Sequence, residues 1–250
     1  MNPVKQTGHI AAFFDLDGTL VPSPSLERRF FTRLRKSGAI PFGNYVRYIA
    51  EAARLLPKGT DAVLQDNKSY LRGVWCDQVY QHAQAIAFLE DAIARVAWHA
   101  RQGHIIVLVS GTPEPLAEMA ALGLSCELEA LGIRCEPLLC ATRMEEDSGR
   151  WTGRVVGEAM HGQAKARAAG RVAREKQIDL RLSHAYGNSP ADCPMLAVVG
   201  HAHAVNPGPR LAATANQLGW TIWRWRNEVR PDRQETEREP AILPKVEGRA

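Results

Sequence analysis

An apolar run from Ile10 to Phe14 ends abruptly at two acidic residues, Asp15 and Asp17, and a Gly-Thr turn follows them. Such a short run predicts a buried parallel strand, because parallel strands are covered on both faces and carry continuous apolar residues. Acids two positions apart at the end of a strand point the same way. In an open α/β sheet, ligands bind at that C-terminal edge. The stretch therefore predicts an α/β fold with a binding site beside its first strand.

The two acids also predict what this site holds. Two like charges at this spacing are costly unless a cation or a proton neutralises one of them. Mg²⁺ suits the task, because hard cations favour carboxylate and carbonyl oxygens. The alternative is a chance pair of acids in a surface turn, which the apolar run before them and the Gly-Thr turn after them disfavour.

A second strand is predicted from Ile105 to Val109, where β-branched apolar residues lead into the turn Ser110-Gly111-Thr112. Pro113 suits the first position of a helix predicted over 113–122. The Ser110 hydroxyl and nearby N–H groups would then face an anion at a helix N-terminus. Alternatively, Ser110 and Thr112 only cap the helix, and the sequence leaves both interpretations open.

A lysine and a further strand with its turn follow later in the chain. Lys165 opens a helix predicted over 163–177, directly after the Gly162-containing turn. A lysine on a helix is usually solvated, but a point cation at this place could hold nucleophile and phosphoryl charges together. The segment HAYGNSPADCPMLAVVG, residues 184–200, is a strand and turn that bears Asn188 and Asp192.

In their order along the chain, these four segments resemble the motifs of the haloacid dehalogenase-like (HAD) superfamily, and in particular its phosphoserine-phosphatase-like subfamily IB. The resemblance implies a Rossmann-like, doubly wound parallel sheet with a helical C1 cap inserted after the first strand. It implies that Asp15 is the nucleophile, which takes the phosphoryl group as an aspartyl-phosphate. Asp17 would be the general acid and then the base that activates water. Ser110, Gly111 and Lys165 would bind the phosphate.

The same resemblance implies a Mg²⁺ site formed by Asp15, Asp17, Asn188 and Asp192. Asn188 departs from the family pattern, because an acid that binds the metal directly is expected at this position. An amide carbonyl can still bind a cation, but it brings no charge. Asp15 and Asp192 would then supply two formal negative charges, and Asp17 would add a backbone carbonyl. We expect a working but weaker metal site.

The implied function is that of a Mg²⁺-dependent phosphatase, which hydrolyses a small phosphate monoester. Two alternatives remain open: a phosphotransferase on the same scaffold, and a non-catalytic phospho-ligand binding module, which Asn188 motivates. A dehalogenase is disfavoured, because Asp17 serves phosphoryl transfer and not halide displacement. Phosphoserine as substrate is in doubt, because its phosphatases carry a glutamate soon after the first motif to bind the amine. The nearest acid here is Glu27.

The predicted organisation is a core of residues 9–21 and 86–226, a helical cap of residues 22–85, and a tail of residues 227–250. The tail is charged and poor in apolar residues, so we expect it to be disordered. Helices are predicted in and after the cap over 24–38, 42–56, 60–72 and 77–101. The cap holds ten Lys or Arg and five Asp or Glu. This surplus could steer an anionic substrate, although each arginine taken singly is as readily explained as solvated surface.

The remaining elements alternate in a way that predicts a parallel, doubly wound sheet. We expect a hairpin of 136–143 and 150–156 around Asp147-Ser148-Gly149, strands at 183–187, 201–205 and 220–224, and helices at 190–197 and 209–217. His201 and His203 alternate on one strand, where a structural role is favoured over a metal site. Trp220, Trp223 and Trp225 are expected to pack the edge strand.

Composition limits the remaining possibilities. The 250 residues are 45% hydrophobic, which suffices for a sizeable core. Five cysteines without a CxxC pattern suggest reduced thiols and a cytoplasmic location. No stretch approaches the roughly 18 apolar residues of a membrane span. A net charge of +4 does not favour nucleic acid. The expected partner is a small phosphorylated metabolite, and the oligomeric state is left open.

Overall fold

Six parallel strands form the central sheet. We analysed a computed structural model, which describes residues 8–58, 67–81 and 86–226. The strands are β1 (Ala11–Phe14), β2 (Ile105–Pro113), β3 (Leu138–Thr142), β6 (His184–Gly187), β7 (His201–Val205) and β8 (Thr221–Trp223). From β1 the sheet grows through β2 and β3 on one side and through β6 to β8 on the other. The strand order therefore reverses beside β1, which opens a crevice at the C-terminal edge.

Helices cover both faces of the sheet, which confirms the predicted doubly wound α/β fold. The helices are α1 (Leu26–Lys36), α2 (Phe42–Leu55), α3 (Gln78–Gln81), α4 (Glu90–Arg101), α5 (Glu114–Glu129), α6 (Gln163–Glu175), α7 (Cys193–Leu196) and α8 (Pro209–Leu218). One apolar core joins Phe14 of β1 to α4 and α5, and a second joins Phe13 to α6 and α8. Successive β1 side chains thus point to opposite faces, as the pleat of a strand requires.

A third apolar core lies between the cap helices and an antiparallel hairpin, β4 (Met144–Asp147) and β5 (Arg150–Val155). Trp151 of the hairpin is fully buried there, and its ring lies edge-on to Phe30 of α1 with 6.0 Å between centroids. Burial of one such large side chain contributes on the order of 1.5–3 kcal/mol. The cap is therefore fastened to the core domain through residues that follow β3 in sequence.

Several predicted element boundaries are wrong. The stretch predicted as the first arm of a hairpin, 136–143, instead supplies β3, which pairs in parallel with β2. The hairpin itself begins at Met144, around the predicted Asp147-Ser148-Gly149 turn. The apolar residues Leu138 to Ala141 suit a covered parallel strand better than an exposed arm.

The predicted helices of the cap also change. The helix expected over 77–101 is two helices, α3 ending at Gln81 and α4 beginning at Glu90. Within the helix expected over 60–72, the described residues form a 3₁₀ turn, Ser69–Leu71, and residues 60–66 lie outside the described residues. The helix expected over 113–122 continues to Glu129. The tail predicted for 227–250 also lies outside the described residues.

Helix α2 does not bury the face that its apolar spacing suggests. Val46 and Ile49 are 59% and 69% exposed, whereas Asn44 is buried. The Asn44 side-chain amide donates hydrogen bonds to the backbone oxygens of Tyr70 at 3.0 Å and Arg72 at 2.7 Å. Polar contacts to the 3₁₀ segment therefore orient this helix, which periodicity does not reveal.

Histidines cluster at the N-terminal edge of the sheet, where their rings contact one another and the neighbouring aromatic rings. His203 accepts a hydrogen bond from Trp223 Nε1 at 3.1 Å and stacks on Tyr186. His99 at the end of α4 is fully buried and contacts the Tyr186 hydroxyl at 2.9 Å. Burial and the neighbouring His184 lower the pKa of His99 to about 2, so the folded protein keeps this ring neutral.

This neutral histidine predicts a pH-dependent loss of stability. Between pH 7.5 and 5 the unfolded chain gains a proton on His99 and the folded protein does not, so the wild type loses stability as the pH falls. His99→Gln lacks this contribution. The loss of unfolding free energy that this substitution causes should therefore be about 1–2 kcal/mol smaller at pH 5 than at pH 7.5. Denaturant titrations at both pH values measure this difference, with exposed His9→Gln as the control. A cost that is the same at both pH values would contradict the prediction.

Candidate active site

Asp15 lies at the end of β1, where the strand leaves the sheet. Its backbone N–H still donates to the Tyr186 oxygen of β6 at 2.9 Å, so the sheet fixes its position. The carboxylate is buried and accepts a hydrogen bond from Thr19 Oγ1 at 3.0 Å. A tight turn then reverses the chain, with Gly18 N–H donating to the Val21 oxygen at 2.7 Å. The sheet and the turn together hold this carboxylate at the mouth of the crevice.

Lys165 is the cation at the centre of the site. It lies in the first turn of α6 and is 4% exposed, and its Nζ donates to Asp15 Oδ1 and to Asp192 Oδ1, each at 2.6 Å. Burial alone would lower the pKa of Lys165, but the two carboxylates outweigh this effect and raise it. Burial and the nearby Asp192 raise the pKa of Asp15, whereas Lys165 acts in the opposite direction. The lysine is therefore charged and links β1 to the segment after β6.

Asp192 is completely buried beneath the site, and protein donors occupy both of its oxygens. Oδ1 accepts from Lys165, and Oδ2 accepts from the backbone N–H groups of Asn188 at 3.1 Å and Ser189 at 2.9 Å. The Ser189 hydroxyl adds a further hydrogen bond to Oδ2 at 2.9 Å. Gly187 allows this approach, because a Cβ there would lie 2.4 Å from the Asp192 Cβ. Asp192 thus fixes both Lys165 and the loop that carries Asn188.

Asn188 packs directly against the turn after β1. A Cβ on Gly18 would lie 2.1 Å from Asn188 Nδ2, and Gly18 also has a positive φ of 84°. Only glycine satisfies both demands without strain or displacement. The amide of Asn188 therefore lies beside the turn that carries Asp15 and Asp17.

Asp17 is held from two sides. Its Oδ1 accepts from the Leu26 backbone N–H at 2.8 Å, and its Oδ2 accepts from the Thr112 hydroxyl. Burial raises the pKa of Asp17, although these two hydrogen bonds oppose the rise. A carboxyl group whose pKa is raised can carry a proton closer to neutral pH, which suits an acid and base.

The predicted turn Ser110-Gly111-Thr112 lies within β2, as an irregular end of that strand, and it supplies the remaining polar groups. Ser110 Oγ accepts from the Thr112 N–H at 3.2 Å, and the N-cap of α5 is Pro113, with no side-chain cap. Ser110 and Thr112 therefore do not cap the helix, which removes the alternative interpretation of this turn. The Thr142 hydroxyl donates to the Gly111 oxygen at 2.8 Å and keeps the turn in place.

These elements enclose a cavity of about 740 Å³. Of the residues predicted for the site, those that line this cavity are Asp15, Asp17, Ser110, Gly111, Lys165 and Asn188. Asp192 lies just behind the wall. The sequence interpretation missed the hydroxyl groups that hold the carboxylates, namely Thr19, Thr112 and Ser189. Their only sequence signal is their place in the same three turns.

A second group of polar residues lies at the cap side of this cavity. Lys68, only 2% exposed, donates to both oxygens of Glu27, each at 2.6 Å. The Tyr70 hydroxyl also donates to Glu27 at 2.6 Å. The Glu27 carboxylate is therefore already neutralised by a lysine from the cap.

A family model described as haloacid dehalogenase-like hydrolase matches residues 12–197. Phosphoserine phosphatase SerB1 of Mycobacterium tuberculosis (strain ATCC 25618 / H37Rv) is 31% identical over 233 residues, which cover 85% of this chain and 70% of that protein. The chain belongs to the haloacid dehalogenase-like hydrolases, and the resemblance to phosphoserine-phosphatase-like members is confirmed.

Two solved structures have the same fold. A protein with unknown function from Bordetella pertussis Tohama I has a TM-score of 0.65 at 22% identity, and the match covers 87% of this chain and 99% of that one. A substrate-bound phosphoserine phosphatase complex has a TM-score of 0.59 at 20% identity, and the match covers 88% of this chain and 95% of that one.

Among the described residues, no helix has the length and apolar character needed to cross a membrane.

The contact between Gly18 and Asn188 predicts an unequal effect of two alanine substitutions. Gly18→Ala and Gly38→Ala both place a side chain at positive φ, which costs roughly 1–2 kcal/mol. Only Gly18→Ala also overlaps a neighbour, since nothing lies within 4 Å of a Cβ on Gly38. Gly18→Ala should therefore cost at least about 1 kcal/mol more in the free energy of unfolding. Equal costs in denaturant titrations would show that Asn188 is not held against the turn.

Proposed function

We propose that the protein is a Mg²⁺-dependent phosphatase that hydrolyses a small phosphate monoester through an aspartyl-phosphate on Asp15. The observation that carries this proposal is the position of Asp15 at the wall of the cavity, with Lys165 on Oδ1, Thr19 on Oδ2 and Asp17 two residues on. A carboxylate fixed in this way is a nucleophile with restricted orientation. The similarity to SerB1 supports phosphate ester chemistry.

The donor atoms at this edge fit Mg²⁺. Asp15, Asp17 and Asn188 present carboxylate, carbonyl and amide oxygens to one cavity, which is the ligand chemistry this ion favours. Asp15 and Asp192 bring two carboxylates against the ammonium of Lys165, so a divalent cation would offset the excess negative charge. When bound, Mg²⁺ would supply charge stabilisation for the phosphoryl oxygens. Asp15, the Asp17 carbonyl and Asn188 would hold it.

Asp192 takes an indirect part in this proposal. Because donors from Lys165, Asn188 and Ser189 occupy its oxygens, it positions the lysine and the Asn188 loop. The resemblance implies that Asp192 helps to form the metal site, either by direct contact or through its neighbours. Its complete burial behind the cavity wall favours the positioning role.

The reaction would proceed in two steps. An Asp15 oxygen attacks phosphorus and forms the acyl-phosphate bond, while the ester oxygen leaves and takes a proton from Asp17. Asp17, now a carboxylate, then accepts a proton from a water molecule while the oxygen of that water attacks phosphorus. The bond between phosphorus and Asp15 breaks, which releases inorganic phosphate and regenerates the Asp15 carboxylate. Lys165, Ser110 and the backbone at Gly111 would stabilise charge on the transferring group.

An acceptor alcohol could replace water in the second step, which is the phosphotransferase alternative. Asn188 motivates the other alternative, a non-catalytic binding module. Release of phosphate from para-nitrophenyl phosphate, with and without added alcohols, separates these functions. Hydrolysis without transfer to alcohol supports the phosphatase.

Asp15→Asn tests the nucleophile. The amide can neither attack phosphorus nor carry charge, so turnover of para-nitrophenyl phosphate should fall by at least about three orders of magnitude. Asp147→Asn makes the same chemical change at the exposed hairpin tip and should leave turnover unchanged. Activity of the Asp15 variant within tenfold of the wild type would contradict the mechanism.

Asn188→Asp tests the metal site. It adds a negative charge beside Asp15 and Asp17, and charged oxygen ligands tighten Mg²⁺ binding. We expect the half-saturating Mg²⁺ concentration to fall by roughly tenfold, on the order of 1.4 kcal/mol. Turnover at saturating metal should change less, because the nucleophile and the acid are untouched. Titration of activity against Mg²⁺ decides the matter. An unchanged or higher half-saturating concentration would place Asn188 away from the metal.

A further inference from the structure

A second cavity of about 760 Å³ adjoins the catalytic cavity. Lys68, Ala159 and His161 line both cavities, so the two share a wall. The second cavity, which we name the basic chamber, lies between α2, the Lys68–Arg72 segment and the β5 strand of the hairpin. Its volume is in the range of pockets that bind small molecules.

The acidic residues that line the basic chamber, Glu51 and Glu158, each pair with an arginine. The arginines in its lining are Arg47, Arg54, Arg72 and Arg154. Two of these are already neutralised, because Arg54 pairs with Glu51 at 2.9 Å and Arg154 pairs with Glu145 at 2.7 Å. Within the described part of the chain, Arg47 and Arg72 have no acidic partner. Counting the described residues alone, the chamber thus presents two guanidinium groups that no acidic side chain compensates. Such groups bind carboxylate and phosphate oxygens in a bidentate manner.

The fold holds these two arginines on neighbouring walls. The buried Asn44 of α2 donates to the Arg72 backbone oxygen at 2.7 Å, which ties the helix carrying Arg47 to the segment carrying Arg72. Gly153 of β5 packs against that segment, since a Cβ there would lie 3.3 Å from the Arg72 Cβ and 3.0 Å from the Ser69 Cα. Both arginine side chains are exposed, but these contacts fix the positions of the backbone segments that carry them.

The wall shared with the catalytic cavity suits a substrate without an amine. The Glu27 carboxylate is neutralised by Lys68 and Tyr70, so it offers no free charge to an ammonium group. In the part of the chain that the structure describes, the charge without a partner beyond this wall is positive. A ligand that extends from the catalytic cavity toward the chamber therefore gains most when its far end is anionic.

We propose that the basic chamber binds a second anionic group of the substrate, a phosphate or a carboxylate, through Arg47 and Arg72. The substrate is then a phosphate monoester whose leaving group carries its own anion. The assignment of a substrate rests on the proposed phosphatase activity. The assignment of an anion site rests on the chamber alone.

The test uses pairs of substrates that differ only in the second anion. Monophosphates and bisphosphates of linear alkanediols of increasing length serve as the probes, with ω-phosphoalkanoic acids as the carboxylate series. In the wild type, kcat/KM should be at least about tenfold higher for the doubly anionic member at the best length, which is the effect of one or two charge-assisted contacts. A ratio at or below one at every length overturns the proposal.

Arg47→Gln and Arg72→Gln should each remove most of this preference and leave turnover of para-nitrophenyl phosphate within about twofold. Arg28→Gln is the matched control, because it removes an exposed cap arginine that lines neither cavity. A loss of preference in the Arg28 variant equal to that in the chamber variants would mean general charge steering, and would overturn a site in the chamber.

Two further measurements separate the possible failures. In the first, inorganic phosphate is added during turnover of para-nitrophenyl phosphate by the wild type and by the Arg47 and Arg72 variants. If phosphate alters the turnover of the wild type alone, while bisphosphates have no higher kcat/KM than monophosphates, the chamber binds a separate anionic ligand. That result overturns the substrate assignment. Calorimetric titration with inorganic tripolyphosphate needs no turnover. Weaker binding to both chamber variants than to Arg28→Gln supports the anion site even if the phosphatase proposal fails, and equal binding to all variants overturns it.

Discussion

The contact of Lys165 with Asp15 and Asp192 is the interaction on which the rest of the site depends. All three side chains are buried, and each nitrogen–oxygen distance is 2.6 Å. Buried charges are tolerated only when they are paired, and loss of one partner typically costs about 3–5 kcal/mol. The lysine comes from α6, one carboxylate from the end of β1 and the other from the segment after β6. One cation therefore fixes three separate parts of the chain at the point where the strand order reverses.

The environment of Asp192 extends this arrangement to the loop that carries Asn188. Its Oδ2 accepts hydrogen bonds from the backbone N–H groups of Asn188 and Ser189, and Gly187 allows Asp192 to approach closely because it has no side chain. The Asn188 side chain of this loop therefore contacts Gly18 in the turn after β1. On the core side these contacts hold the edge of the cavity, whereas the cap side is formed by the Glu27–Lys68 pair and the arginines of the basic chamber.

Much of the core could be predicted from sequence, because its determinants are local. The apolar run before Asp15 and the β-branched run from Ile105 mark parallel strands, and the turns after them carry the polar groups of the cavity. The hairpin was misplaced because the residues of β3 are as apolar as those of a hairpin arm, and only pairing with β2 separates the two. The partners of Glu27 and the orientation of α2 were missed because both depend on contacts between residues far apart in the chain.

In the proposed mechanism, Asp15 becomes covalently phosphorylated during turnover. The most direct measurement is acid quenching of the protein during turnover of para-nitrophenyl phosphate with Mg²⁺, followed by mass spectrometry of its peptides. We expect one added phosphoryl group on the peptide that contains Asp15, present during turnover and gone once substrate is exhausted. Turnover with no phosphoryl group on that peptide, or with a phosphoryl group on another residue, would contradict it.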